Sequence, residues 1–270
     1  MGDGNGTAPE LYDFEPDEDD STAEILRGLA ANPKRISPKY FYDERGSQLF
    51  DAITELPEYY PTRTELKIMR DNVAEIARLV GPEASLIEFG SGSSLKTQIL
   101  LENLDEVAAY VPVDISKEHL LAAAERIAEK FPDIEVLPVC ADFTQDFELP
   151  DPRVTPVRNL VYFPGSTIGN FTRPHALDLL KAMSRVATRG GALLIGVDLD
   201  KDPEIITRAY NDAAGVTAEF NLNMLTHLNR VYDADFDTKQ FAHVAVYDGG
   251  DKRIEMRLVS MKDQVVTVAG

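Results

Sequence analysis

The sequence predicts an α/β protein, a doubly wound parallel sheet with a second, α+β unit. Three observations predict it. Between Ser85 and Asp198, short apolar runs alternate with helical patterns, the mark of βαβ units and a parallel sheet. The first run, Ala84-Ser85-Leu86-Ile87-Glu88-Phe89, breaks into the glycine-rich stretch Gly90-Ser91-Gly92-Ser93-Ser94-Leu95-Lys96-Thr97, and a helical pattern follows. Strand, glycine turn and helix in that order open a nucleotide-binding unit. After Asp198 the alternation stops, and period-two patterns flank Asp248-Gly249-Gly250-Asp251, a hairpin turn signal.

In chain order, Met1–Asp20 is rich in Gly, Pro, Asp and Glu and is expected to be a flexible acidic tail. Ser21 is expected to cap a first helix, with Glu24 completing a capping box, ending near Asn32-Pro33. Ser37–Tyr42 is an aromatic loop, and Gly46–Thr54 a second helix. Leu56–Arg63, with Pro57 and Pro61 bracketing Tyr59 and Tyr60, is expected to be stiff and non-helical. Thr62 caps a helix through about Leu79, with Leu66, Met69, Val73, Ile76 and Val80 at helical spacing. Strands are expected at 85–89, 109–113, 134–140, 158–163 and 192–198, and helices at 96–104, 116–130 and 173–188. Asp202–Asn211 and Val216–Val231 look helical, and strands follow at Phe241–Tyr247, Arg253–Met261 and Val265–Val268. The division expected is a tail over 1–20, helices over 21–80, a nucleotide-type sheet over 81–198 and the α+β unit over 199–270.

At 270 residues and 44% hydrophobic content the composition is ordinary, but the net charge of −19 is not. It disfavours nucleic acid and anionic membrane surfaces as partners. The single cysteine, Cys140, excludes an intrachain disulfide and a cysteine-rich metal site. There is no signal-like start and no 18-residue apolar stretch, so the cytoplasm is the expected location. His119, His175, His227 and His243 show no metal-ligand spacing, and no metal site is expected. Ser91 sits in a Gly-x-Gly and not in a nucleophile elbow, which disfavours hydrolase chemistry.

Three ligand classes compete for the glycine loop. Lys96-Thr97 matches a phosphate-cradling loop, but Leu95 stands where both that motif and the dinucleotide motif need a glycine. S-adenosylmethionine (SAM) has no phosphate, and Gly90 and Gly92 suffice for it. A glycine turn without ligand stays open on the loop alone. Asp114 ends the second strand, 24 residues after Gly90, near the distance at which an acid meets a ribose diol. Asp142 and Phe143 end the third and suit an adenine, the carboxylate taking the exocyclic amine and the ring offering an apolar face. Two such acids behind a glycine loop favour a nucleoside over solvated strand ends. After the fourth strand, Gly165 allows close backbone approach and Asn170 offers donor and acceptor to a polar substrate, or caps a helix.

Together these residues resemble the histidine Nα-methyltransferases of ergothioneine biosynthesis. The segments that carry the resemblance are Ser37–Gly46, Leu56–Arg63, Glu88–Thr97, Gly165–Asn170, Ala209–Asp212, Gly215–Asn221, Ala234–Asp237 and Arg253–Met256. The resemblance implies a class I methyltransferase domain, a substrate domain built from the N-terminal helices and the part after Asp198, and SAM as cofactor. It implies cofactor contacts on Tyr60, Gly90, Lys96, Asp114, Asp142 and Phe143, with Gly92 in the same loop. It places the substrate's amine and carboxylate on Asn170 and Tyr210, and Gly165 and Met256 along the site. The implied chemistry is in-line methyl transfer to a neutral amine that Asn170 and Tyr210 orient. The family runs past the point matching Gly270, and its imidazole-reading acid and hydroxyl lie there. This chain is therefore expected to bind SAM analogues better than histidine. The family implies a monomer, and an uncovered sheet edge would favour self-association. A SAM-binding protein of altered substrate, or without catalysis, is the competing reading, and a nucleoside triphosphatase the third.

Overall fold

The computed structural model describes residues 9–92 and 95–269, which group into two units. The first is built from the stretch ending at Glu15 and from Thr64–Asp198, the second from Pro16–Arg63 and Leu199–Gly270.

The first unit is a six-stranded sheet, parallel throughout: β1 (Tyr12–Phe14), β2 (Ala84–Phe89), β3 (Ala109–Asp114), β4 (Val139–Ala141), β5 (Arg158–Phe163) and β6 (Ala192–Ile195), in the order β1-β4-β3-β2-β5-β6. The helices are α3 (Tyr60–Val80, from Thr64 onward in this unit), α4 (Leu95–Leu101), α5 (Lys117–Lys130) and α6 (Arg173–Ala187). Side chains alternate along the strands, so the central strands feed two cores. Leu86, Tyr110, Leu160 and Tyr162 pack with Met69 and Val80 of α3, Leu100 of α4 and Ile127 of α5. Ile87, Phe89, Val111, Val161 and Phe163 pack with Leu179 and Met183 of α6. A sheet covered on both faces is doubly wound, as the alternation predicts.

Three boundaries differ from expectation, each for a local reason. Met1–Ala8 lies outside the described residues, but Tyr12–Phe14 is an edge strand paired with Val139–Ala141, not tail. The amide of Tyr12 donates to the Pro138 carbonyl at 2.9 Å, and Lys117 pairs with Asp13. The third strand of the alternation is shorter than 134–140, because Pro138 has no amide and Val136 makes only an isolated bridge to Tyr110. The fifth ends at Ile195, with the Gly196 amide making a last bond to the Phe163 carbonyl at 3.0 Å.

The second unit packs α1 (Glu18–Ala30), α2 (Glu44–Glu55), the opening turn of α3, α7 (Pro203–Ala209), α8 (Val216–Val231) and the hairpin β7–β8 (Phe241–Asp248, Arg253–Ser260). Its core joins Ile25, Tyr40, Phe41, Leu49, Ile53, Phe220, Met224 and Leu228. Asp43 is the hub of the polar contacts. Its side chain caps α2 by accepting from Gly46 N at 2.8 Å, accepts from Asn223 on α8 at 2.8 Å, and pairs with Arg230. Gly46 is needed there: a Cβ would fall 1.7 Å from the Phe41 carbonyl oxygen.

Here too the expectations need correction. Asp17, not Ser21, caps α1, and Glu24 pairs with Lys39 at 2.7 Å instead of closing a capping box. Pro38–Phe41 is a 3-10 turn. Tyr60–Arg63 is already helical, because a proline in the first turn lacks only an amide that had no partner to lose. Arg63 holds the stretch before it by donating to the carbonyls of Leu56, Pro57 and Tyr59. Val265–Val268 is not a third strand. Thr267 within it and Ala269 after it bond to the loop after α8, Asp235 N to Thr267 O and Ala269 N to Tyr232 O.

Candidate functional site

In the first unit the predicted cofactor residues gather at the carboxyl ends of β2, β3 and β4. Gly90 and Gly92 both have left-handed backbones, φ 75° and 47°, and a Cβ on Gly90 would touch the Phe143 ring at 3.8 Å. Asp114 ties the loop to β3: one carboxylate oxygen accepts from Gly92 N at 3.2 Å and the other from Ser116 N at 3.0 Å. Burial raises its pKa and these backbone donors offset part of the rise. Asp142 is buried and one of its oxygens accepts from the Thr144 amide and hydroxyl at 2.9 and 2.6 Å. Phe143 is half-buried among Phe89, Phe163 and Phe171.

Beneath the loop is a buried acid. Glu88 is 1% exposed, and one oxygen accepts from the Thr97 and Tyr110 hydroxyls, each at 2.6 Å. Burial pushes its pKa up to about 7, more than those donors and Lys96 pull it down. Beside it on β5, the Tyr162 hydroxyl is buried with no partner among the described residues, and its pKa is raised for the same reason.

Lys96 and Gly165 meet through a residue the sequence did not single out. Glu65 on α3 accepts from Lys96 Nζ at 2.6 Å and from Gly165 N at 2.9 and 3.0 Å. Gly165, φ 76°, opens a loop through Ser166 that ends in the exposed Asn170.

A cofactor of SAM's chemistry fits these residues. The cradle is formed by left-handed glycines without Cβ, with an acid and an aromatic ring beside it. The Ser91 hydroxyl in the same loop is buried and has no partner among the described residues. A concavity of about 510 Å³ at the opposite sheet edge is lined by Glu83, Glu106, Asp133 and Glu135 among others, with no glycine and no aromatic ring in its lining. Among the described residues, no group of His, Cys, Asp and Glu is placed to hold a metal ion.

In the second unit, Tyr60, Tyr210 and Met256 pack against one apolar cluster. Lys201 donates to the Tyr60 hydroxyl at 2.9 Å and lies 4.3 Å from the ring centre. Tyr210 follows α7, with its ring 5.8 Å from Tyr59. Its carbonyl is held by His243 Nε2 at 2.9 Å, while Asn221 Nδ2 lies 2.8 Å from His243 Nδ1. An amide donor at Nδ1 fixes the tautomer, so Nε2 carries the proton given to Tyr210. His243 is thus structural, which a scattered histidine without ligand spacing could not reveal. Glu65 and Lys201 also lie outside every motif, and only their folded neighbours mark them.

A family profile described as histidine-specific methyltransferase, SAM-dependent, matches residues 21–270. The histidine N-alpha-methyltransferase of Mycolicibacterium smegmatis is 45% identical over 258 residues, 93% of this chain and 79% of that protein. Its counterpart from Mycobacterium tuberculosis is 43% identical, over 87% of this chain and 73% of that protein. The ergothioneine biosynthesis protein 1 of Neurospora crassa is 35% identical over 207 residues, 74% of this chain and 23% of that protein.

Proposed function

We propose, from the premise that this chain belongs to the SAM-dependent histidine-specific methyltransferases, that it methylates the α-amine of L-histidine. The chain is a SAM-dependent methyltransferase with the class I sheet; the amino acid, the product and the residue roles are our reading. The product we assign is trimethylhistidine (hercynine), made for ergothioneine in the cytoplasm. Among the described residues no helix is long and apolar enough to cross a membrane.

One observation carries the reading: the histidine-specific profile runs through residues 21–270, across every candidate from Tyr60 to Met256. When bound, SAM supplies a methyl group on a sulfonium, an electrophile that a neutral amine nitrogen can take up without a strong base. Gly90 and Gly92 would let the backbone approach the cofactor, Asp114 would accept from its ribose hydroxyls, and Asp142 and Phe143 would hold its adenine. Lys96 and Tyr60 would complete the cofactor contacts. Asn170 and Tyr210 would orient the amine and carboxylate of the amino acid, with Gly165 and Met256 along its path, so that the lone pair is presented in near-attack geometry.

The test is calorimetric titration with S-adenosylhomocysteine, then histidine on that complex, followed by labelled methyl transfer from SAM. Binding of both and labelled histidine are expected. Cofactor binding without histidine turnover would assign another substrate or none. Mg²⁺-dependent ATP binding in place of either would overturn the reading.

A further inference from the structure

The sheet order places β3 and β4 on one side of β2, and β5 and β6 on the other. The chain therefore leaves β2 and β5 in opposite directions, and a crevice opens between their carboxyl ends, where doubly wound sheets bind ligands. One side chain bridges the two sides. Glu65 accepts from Lys96 Nζ, in the first turn of the helix after β2, and from the Gly165 amide, just past β5. Beyond β6, Gly196 lies so close that a Cβ would fall 2.0 Å from the Glu65 oxygen. Three strand-end segments thus converge on one carboxylate.

The Lys96 and Glu65 side chains are only 20% and 16% exposed. Placing two charges there costs desolvation that an apolar pair would not incur, so packing alone does not account for the pair. Its electrostatic effect is specific: it sets a carboxylate against the positive charge of Lys96, in the first turn of the helix that follows the loop of Gly90, Gly92 and the Asp114 contact. A ligand carrying a sulfonium would be repelled by a bare lysine ammonium held in this partly dry place.

We propose that Glu65 is a positioning residue of the cofactor crevice: it spans the switch point and cancels the charge of Lys96, so that the crevice accepts a sulfonium ligand. This rests on reading the crevice as the SAM site. The consequence is selectivity by charge. SAM carries one positive charge more than S-adenosylhomocysteine, and Glu65 weights binding toward the former.

The experiment measures affinity for SAM and for S-adenosylhomocysteine by calorimetry, on the parent chain, Glu65→Gln, Glu65→Asp and the double variant Glu65→Gln with Lys96→Met. Glutamine keeps the shape and an acceptor for Gly165 but removes the charge. In Glu65→Gln, SAM should weaken about tenfold or more and the homocysteine about threefold or less. Glu65→Asp restores the carboxylate, and the double variant removes the charge it cancels. Both should return the ratio of the two affinities toward the parent's, whatever their absolute values. Should Glu65→Gln fail to fold in a thermal melt, the ratio in the other two variants decides. A merely structural Glu65 would weaken both ligands equally, and that result overturns the proposal. Tighter binding of both ligands by Glu65→Gln would also overturn it, since the glutamate would then be a competitor for Lys96. If the parent binds neither ligand, the reading of the crevice fails first and this inference falls with it. If the parent binds both and the ratio does not move, only the inference fails.

Discussion

Glu88 holds its proton near neutral pH because burial under the glycine loop penalises its charged form more than the two hydroxyl donors and Lys96 favour it. Its folded pKa is about 7, against an ordinary 4.5. From 4.5 upward the unfolded chain has lost a proton that the folded chain keeps. The stabilisation is therefore complete below pH 4.5 and is lost as pH rises through 7, by on the order of 3 kcal/mol. Glu88→Gln should flatten that slope. Urea unfolding of parent and variant, compared from pH 4.5 to 8, should show the parent losing ground by that amount, whereas parallel curves would refute the shift. Asp114 is a different case, since its oxygens already face the Gly92 and Ser116 amides. Asp114→Ala should weaken S-adenosylhomocysteine by about 2 kcal/mol, near thirtyfold. An unchanged calorimetric affinity would remove Asp114 from the cofactor site. Asn170→Ala should do the opposite, leaving that affinity within about threefold while methyl transfer to histidine falls at least tenfold. Equal losses in both assays would take Asn170 off the substrate side.

At the scale of elements, the second unit depends on the segment Tyr40–Gly46. Asp43 caps α2 and holds Asn223 of α8, while its partner Arg230 is exposed and adds little. Asp43→Ala should cost about 2 kcal/mol, a lost cap plus an amide left without its acceptor. Circular dichroism melts would show it, and a loss below about half that figure would mean that the amide finds another partner. This dependence bears on what the sequence made legible. The sheet was readable because its signals are local: Ala84–Phe89 and Arg158–Phe163 are apolar runs bounded by glycine and proline. Val216–Val231 is readable from its period alone. The edge strand Tyr12–Phe14 was not, because three residues in an acidic stretch carry no period, and their pairing partner lies more than 120 residues away. Val265–Val268 misled for the reverse reason, a strand-like composition whose Thr267 bonds to a loop and not to a strand. The candidate site divides in the same way. Gly90, Gly92, Asp114 and Asp142 stand at strand ends that pattern alone locates. Glu65 and His243 act through partners 100 and 33 residues away, a separation at which spacing carries no information.

For the whole molecule, charge is the dominant number. With 46 acidic against 27 basic side chains, the folded chain repels itself, and the ion pairs at its surface offset little of that. Raising ionic strength from about 0.01 to 0.5 M shortens the screening length several-fold. The melting temperature should rise with it, and a fall would show that ion pairs outweigh the repulsion. The division of the chain has a further consequence, for the order in which the protein comes off the ribosome. The first unit has all its strands once Ile195 has been made. The second cannot close, because the core that holds Tyr40, Phe41 and Leu49 is completed by Phe220, Met224, Leu225, Leu228 and Phe236. At about 5–20 residues per second, residues 16–63 spend tens of seconds with those apolar side chains short of a complete core. During vectorial synthesis that segment, and not the nucleotide-type sheet, is the natural client for a chaperone.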